Sequence, residues 1–160
     1  MPKTTPMVTG DIPYPNYSAT VTAYQDASLA VTKGYVYTKN SSGNLIVPVS
    51  TSGVADLSRG VFQARDASPS NGTAGVQSVQ CLVPKSRIIL KAPANLVVGD
   101  EVELDSSGST TTQDTCMQAV QPHTKGFLGR IVEIYTKDSS GNQKQVTALN
   151  DLVIIQLGDA

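Results

Sequence analysis

From Ala19 onward the chain never sustains one hydrophobic pattern for long. Short apolar or alternating runs are broken by Gly, Pro, Asn, Asp or Ser before a helix could accumulate turns. Candidate strands fall at residues 19–24, 34–39, 45–49, 60–65, 75–83, 87–91, 101–105, 115–120, 127–135, 144–147 and 152–157. Strands this short, at this spacing, read as an all-β domain: a compact β-sandwich or barrel of short antiparallel strands and hairpins. The best helical candidate is a turn or two around residues 26–31. Abundant Val, Thr and Ser supply β-branched residues suited to a pleated, half-buried surface.

The interruptions are themselves patterned. Tyr37-Thr38-Lys39-Asn40-Ser41-Ser42-Gly43-Asn44 is matched by Tyr135-Thr136-Lys137-Asp138-Ser139-Ser140-Gly141-Asn142, and Asp105-Ser106-Ser107-Gly108 repeats the centre of it. Asn or Asp opens a type I turn with its side-chain oxygen, two serines fill the middle, and Gly takes the left-handed position that closes a hairpin. Each tip therefore predicts a hairpin. Lys33-Gly34-Tyr35-Val36 and Gly99-Asp100-Glu101-Val102 add a shared Gly-led approach to two of them. Shared turn chemistry accounts for the repetition without an internal duplication, because each residue is the one the turn demands.

Residues 1–17 differ from the rest of the chain. Pro2, Pro6, Pro13 and Pro15 hold the backbone extended and remove donors that a helix or central strand needs. The reading is an extended N-terminal arm, residues 1–17, ahead of a single β domain, residues 18–160. Such an arm is either a mobile tail or a strap laid across a neighbour. Pro13, Tyr14, Pro15 and Tyr17 are the candidate interface residues, since tyrosines beside prolines give large, stiff contact area.

Chemistry finds little support. The net charge is -1, and Lys and Arg are scattered singly, so no basic stripe invites nucleic acid or an anionic membrane. No apolar run approaches the length of a membrane span, and the N-terminus lacks a signal-peptide pattern, so a soluble chain made in a cytoplasm is expected. Cys81 and Cys116 each sit in strand-like runs and read as small buried thiols, with a mutual disulfide as the alternative. His123, in Gln121-Pro122-His123-Thr124, has no nucleophile beside it and reads as a loop histidine. Asp100, Glu101, Glu103 and Asp105 form an acidic cluster, but alternation places Glu101, Glu103 and Asp105 on one solvated strand face opposite Val102 and Leu104. Phosphate-binding Gly loops and a Gly-x-Ser-x-Gly elbow are absent. The three Asn-x-Ser/Thr sequences, at Asn16, Asn40 and Asn71, are expected by chance in so Ser- and Thr-rich a chain. The sequence assigns no catalytic residue, no cofactor and no metal.

The stretch from Val31 to Leu157 carries further motifs in order. Gly60-Val61-Phe62 lies mid-chain, and Gly99-Asp100-Glu101-Val102 leads a strand into a Gly- and Thr-rich hairpin ending at Thr112. Phe127-Leu128-Gly129-Arg130-Ile131-Val132 then precedes a final strand, Leu152-Val153-Ile154-Ile155-Gln156-Leu157. In these the chain resembles the small capsid decoration, or cement, proteins of tailed bacteriophages, including a family known only as a domain of unknown function. It departs from them in its Pro-rich N-terminus and in the segment 138–144.

The resemblance implies a structural virion protein on the capsid exterior, made in the host bacterial cytoplasm. Its partner would be the assembled lattice of the major capsid protein, with self-association as a trimer ahead of a dimer, and without nucleic acid or membrane. The competing reading is a carbohydrate-binding or adhesive β module of a phage fibre or surface lectin. A 5% aromatic content with no Trp gives little for sugars to stack on. An enzyme comes third.

Overall fold

The structure, a computed structural model, describes residues 5–12, 20–51, 53–70, 78–82, 86–106, 111–119 and 124–158. Among these the chain is built from strands alone, in the order β1 (Thr20–Tyr24), β2 (Val36–Lys39), β3 (Leu45–Ile46), β4 (Ser50–Thr51), β5 (Val54–Ala55), β6 (Phe62–Ala64), β7 (Ser78–Leu82), β8 (Arg87–Ala92), β9 (Glu101–Asp105), β10 (Thr112–Gln118), β11 (Phe127–Ile134) and β12 (Asp151–Leu157). The all-β expectation holds, and the barrel alternative is the one realised.

The C-terminal strands close on themselves. In the order β10, β8, β12, β11, β9 they form a five-stranded closed barrel, with β9 returning to β10. Neighbours are antiparallel except β10 and β8, which run parallel through Thr115 and Lys91. Closure leaves no sheet edge for a second chain to pair with. Alternation along the strands turns Ile88, Leu90, Val102, Leu104, Cys116, Val153 and Ile155 into the interior, all at 1% exposure or less. Their burial is worth about 1.5–3 kcal/mol for each large aliphatic side chain, the main favourable term holding the barrel together.

Gly129 lies within β11, tight against β12. The pairing of β11 with β9 shifts register between Phe127 and Gly129. A Cβ placed on Gly129 would run into the carbonyl of Gln156 on the paired strand, with Leu157 Cα only 3.2 Å away. The Leu-Gly-Arg sequence thus has a steric reason: the strand bulges there and two backbones come close.

The second layer is a five-stranded sheet in the order β1, β7, β6, β2, β3. Its own cluster consists of Ala23, Val31, Tyr37, Leu45, Phe62 and Ala64. Val36 belongs to the barrel's cluster instead, and two glutamines tie the layers together. The amide of buried Gln63 donates to Gly34 O and Ile89 O at 3.0 and 2.8 Å, and Gln113 donates to Val36 O at 2.8 Å. Each of these bonds is made to a backbone carbonyl.

The hairpin tips follow their turn chemistry. At Asn40 the carbonyl accepts from Gly43 N–H at 3.0 Å, and the side-chain oxygen accepts from Ser42 and Asn44 N–H. At Asp138 the same bonds recur with Gly141, Ser140 and Asn142, and the two glycines have φ of 83° and 81°. The third tip joins the antiparallel strands β9 and β10, but residues 107–110 lie outside the described part.

Three expectations are corrected. Residues 26–31 form one side-chain-stabilised turn, in which Asp26 O accepts from Leu29 N–H and Asp26 Oδ1 from Ser28; Val31 then bridges Ser68. Residues 144–147 alternate like a strand but form none, because Lys144 is tied to Asp151 and Thr147 turns inward as a loop peg. The strand expected over residues 45–49 ends at Ile46, since Pro48 has no N–H to continue a ladder; the short pair β4 and β5 comes next, unforeseen.

Candidate functional site

The two ends of the barrel are finished differently. Strand β9 runs from Glu101 at one end to Asp105 at the other, which orients the rest. The Asp105 end is covered by the chain itself. Ala55 and Leu57 join the barrel core there, Leu57 N–H donates to Lys125 O at 2.9 Å, and Ser106 Oγ donates to Gly53 O at 2.8 Å. Gly126 lies so close beneath that an added Cβ would sit 3.0 Å from Ala55 O.

Among the described residues the Glu101 end is closed by two loops, residues 93–100 and 144–150, sewn together by one threonine. Thr147 is 3% exposed. Its hydroxyl donates to Pro93 O at 2.6 Å and accepts from Leu96 N–H at 2.9 Å. Its backbone N–H and C=O pair with Leu96 O and Asn95 N–H, both at 2.9 Å, and Asn150 N–H donates to Ala92 O. Each loop turns through a left-handed asparagine, Asn95 at φ 72° and Asn150 at φ 67°, a conformation Asn tolerates better than most residues.

With the inner side of these loops pinned by Leu96 and Thr147, the intervening side chains face out. Val97, Val98, Val146 and Leu149 are 43%, 54%, 47% and 72% exposed. Together they present on the order of 300 Å² of apolar surface, comparable with the largest patch on an ordinary monomer. Residues 93–99 and 145–150 contain no charged side chain. The charges at the margin are already engaged: Lys144 bonds Asp151 at 2.7 Å, Arg130 bonds Glu101 at 2.6 Å, and Asp100 accepts from Val97 N–H at 2.9 Å. An apolar, charge-depleted centre with a polar rim is the anatomy of a protein interface.

Part of the N-terminal segment reaches the same end. Met7 N–H donates to the Tyr135 hydroxyl at 2.8 Å, and Pro6 and Met7 line a cleft of about 400 Å³ with Tyr135, Thr136, Lys137 and Leu152. Further along, Gly10 and Gly34 meet backbone to backbone: a Cβ on Gly10 would lie 2.9 Å from Gly34 N and from Ala64 O. Asp11 bonds Lys33 at 2.9 Å, and Ile12 packs on the barrel core. Burial works against the Asp11 carboxylate, but the Lys33 bond and the Val8 N–H outweigh it and hold its pKa below the ordinary value. Residues 5–12 are therefore bound to their own chain. Pro13, Tyr14, Pro15 and Tyr17 lie outside the described residues, as does His123.

The acidic cluster differs from its expected form. Val102 and Leu104 point into the core as alternation requires, but the opposite face is not solvated throughout. Glu103 is 2% exposed beneath the loop entering β11, where it accepts from Thr124 Oγ1 at 2.6 Å. Among the described residues no three His, Cys, Asp or Glu side chains gather as a metal-binding group. Cys116 is a free, buried thiol, its pKa pushed up to about 12 by desolvation, so it stays neutral and packs as a small apolar residue. The Cys81 side chain lies outside the described part.

The sequence did not single out Val97, Val98, Val146 and Leu149. Two signals were present: consecutive Val97 and Val98 fit no alternating strand, and the alternation at 144–147 lacks a partner run. No family model, no curated protein and no solved structure matches the chain.

Proposed function

We propose that the chain is a capsid decoration, or cement, protein that seats its apolar barrel end on the outer surface of an assembled major capsid protein lattice. The observation that carries this reading is the asymmetry of the barrel: one end covered by its own chain, the other closed by stiffly bonded loops presenting Val97, Val98, Val146 and Leu149. The resemblance in motif order over Val31 to Leu157 supports the choice of partner.

The magnitudes suit a shell. Burying about 300 Å² of apolar surface returns roughly 7 kcal/mol at 25 cal/mol/Å². Association itself costs about 4–15 kcal/mol, so one copy on one subunit binds weakly. A site shared by adjacent lattice subunits adds contact area that no isolated subunit offers. Binding only the assembled state then stabilises the shell by linkage.

The test is co-sedimentation of the purified chain with assembled shells and, in parallel, with unassembled capsid subunits from the phage that encodes it. The chain is expected to pellet with shells up to a fixed number of copies and to stay apart from free subunits. Equal binding to free subunits, or none to shells, overturns the reading.

A further inference from the structure

The β2–β3 hairpin meets residues 56–59, part of the cover over the Asp105 end of the barrel, around a cleft of about 180 Å³. Its polar lining is rich in donors that have nothing to bond. The Lys39 ammonium stands 4.6 Å from the centre of the Phe62 ring, a contact that fixes its position without neutralising it. Arg59 is exposed and makes no hydrogen bond or ion pair among the described residues. Asn40 gives its side-chain oxygen to Ser42 and Asn44 N–H, and its amide nitrogen has no bond among the described residues. Thr38 is 4% exposed, and its buried hydroxyl has no partner there either. The carboxylate of the cleft is already committed. Asp56 Oδ1 accepts from Ser58 Oγ and N–H at 2.5 and 3.0 Å, and Oδ2 faces Lys125 at 3.8 Å. Ile46 and Val49 add apolar wall.

We propose that this cleft binds a singly charged carboxylate carried on a short apolar stem. Two uncommitted cations beside unmet neutral donors call for an acceptor-rich anion, and the guanidinium fork of Arg59 matches a carboxylate. Asp56 repels a dianion more strongly than a monoanion, which disfavours phosphate and sulfate. The volume suits a carboxylate with a few methylene groups, whose stem lies on Ile46 and Val49, and is too small for a nucleotide. Because Arg59 faces water, its attraction is screened and binding is weak, in the millimolar range. A free short-chain acid and a glutamate side chain of another polypeptide present this same group.

The experiment uses the isolated full chain, so its outcome does not depend on the shell reading, whose contact lies at the opposite end. The ¹⁵N-labelled protein is titrated with butyrate, with N-acetylglutamic acid α-amide, which keeps only the side-chain carboxylate, and with sulfate at matched ionic strength. Saturable shifts are expected at Lys39 and Arg59 N–H and at the Asn40 side-chain amide with a carboxylate, and not with sulfate. Arg59→Gln, at an exposed position, should weaken binding about fivefold, and Lys39→Gln added to it about twentyfold or more, with the rest of the spectrum unchanged. Where the double variant does not fold, Arg59→Gln decides alone. Tighter saturation by butyrate supports the proposal and assigns a free acid. Saturation at least as tight by the glutamate derivative supports it and assigns an acidic side chain. No saturable shift with either carboxylate, equal shifts with sulfate, or binding by the Arg59→Gln chain as tight as that of the wild type overturns it.

Discussion

Gly129→Ala is expected to be the most destabilising single-methyl change on the barrel, costing about 3 kcal/mol or more. The new Cβ would collide with the Gln156 carbonyl, and both groups belong to paired barrel strands that cannot separate without breaking the ladder. For a chain of this size the loss corresponds to a fall of roughly 6–12 °C in thermal midpoint. Gly141→Ala supplies the comparison. Gly141 sits at φ 81° with nothing within 4 Å of an added Cβ, so only the left-handed backbone penalty of about 1–2 kcal/mol applies. Thermal and denaturant melts of the two variants check the ordering. Equal midpoints would mean that β11 and β12 are not packed as closely as described.

The second large effect is expected at Thr147. Thr147→Val keeps the shape but leaves Leu96 N–H and Pro93 C=O facing an apolar group, at about 1–3 kcal/mol for each stranded partner. Thr147→Ser retains the hydroxyl and should cost far less. The consequence is local as well as global: without its peg, the loop of residues 144–150 parts from the loop of residues 93–100. Thr147→Val should therefore lose shell binding even at temperatures where the barrel remains folded. Hydrogen exchange at Asn95 and Leu96 N–H, measured beside the melt, checks this. Faster exchange confined to the two loops is the expected pattern; unchanged exchange would contradict it.

How much of this was legible in the sequence depends on whether the determining interaction is local. The tips at Asn40 and Asp138 are fixed by side-chain to backbone bonds within five residues, and their chemistry can be read directly. The bounds of β9 and the burial of Val102 and Leu104 likewise follow from alternation. Barrel closure does not, because it depends on β10 returning beside β8 in parallel, a pairing between segments with no local signal.

Glu103 was misplaced for the same reason. Its strand position predicts an outward carboxylate, and only the tertiary placement of Thr124 turns that outward face into a buried one. The apolar end was hidden twice over. Thr147 and Val146 imitate a strand in sequence, while the bonds that make them a loop come from residues 93–96, some fifty positions earlier. The N-terminal candidates rested on composition, and composition carried no signal that Gly10 would meet Gly34.

Whether the exposed end of the barrel is the shell contact is tested most directly by a double substitution, Val98→Asp with Leu149→Asp, measured by co-sedimentation with assembled shells against the wild type. Both side chains are exposed, so the melt should stay within about 0.5 kcal/mol of wild type. Two carboxylates forced into an apolar contact should weaken binding at least about a hundredfold. Wild-type binding by this variant, at unchanged stability, would contradict the account.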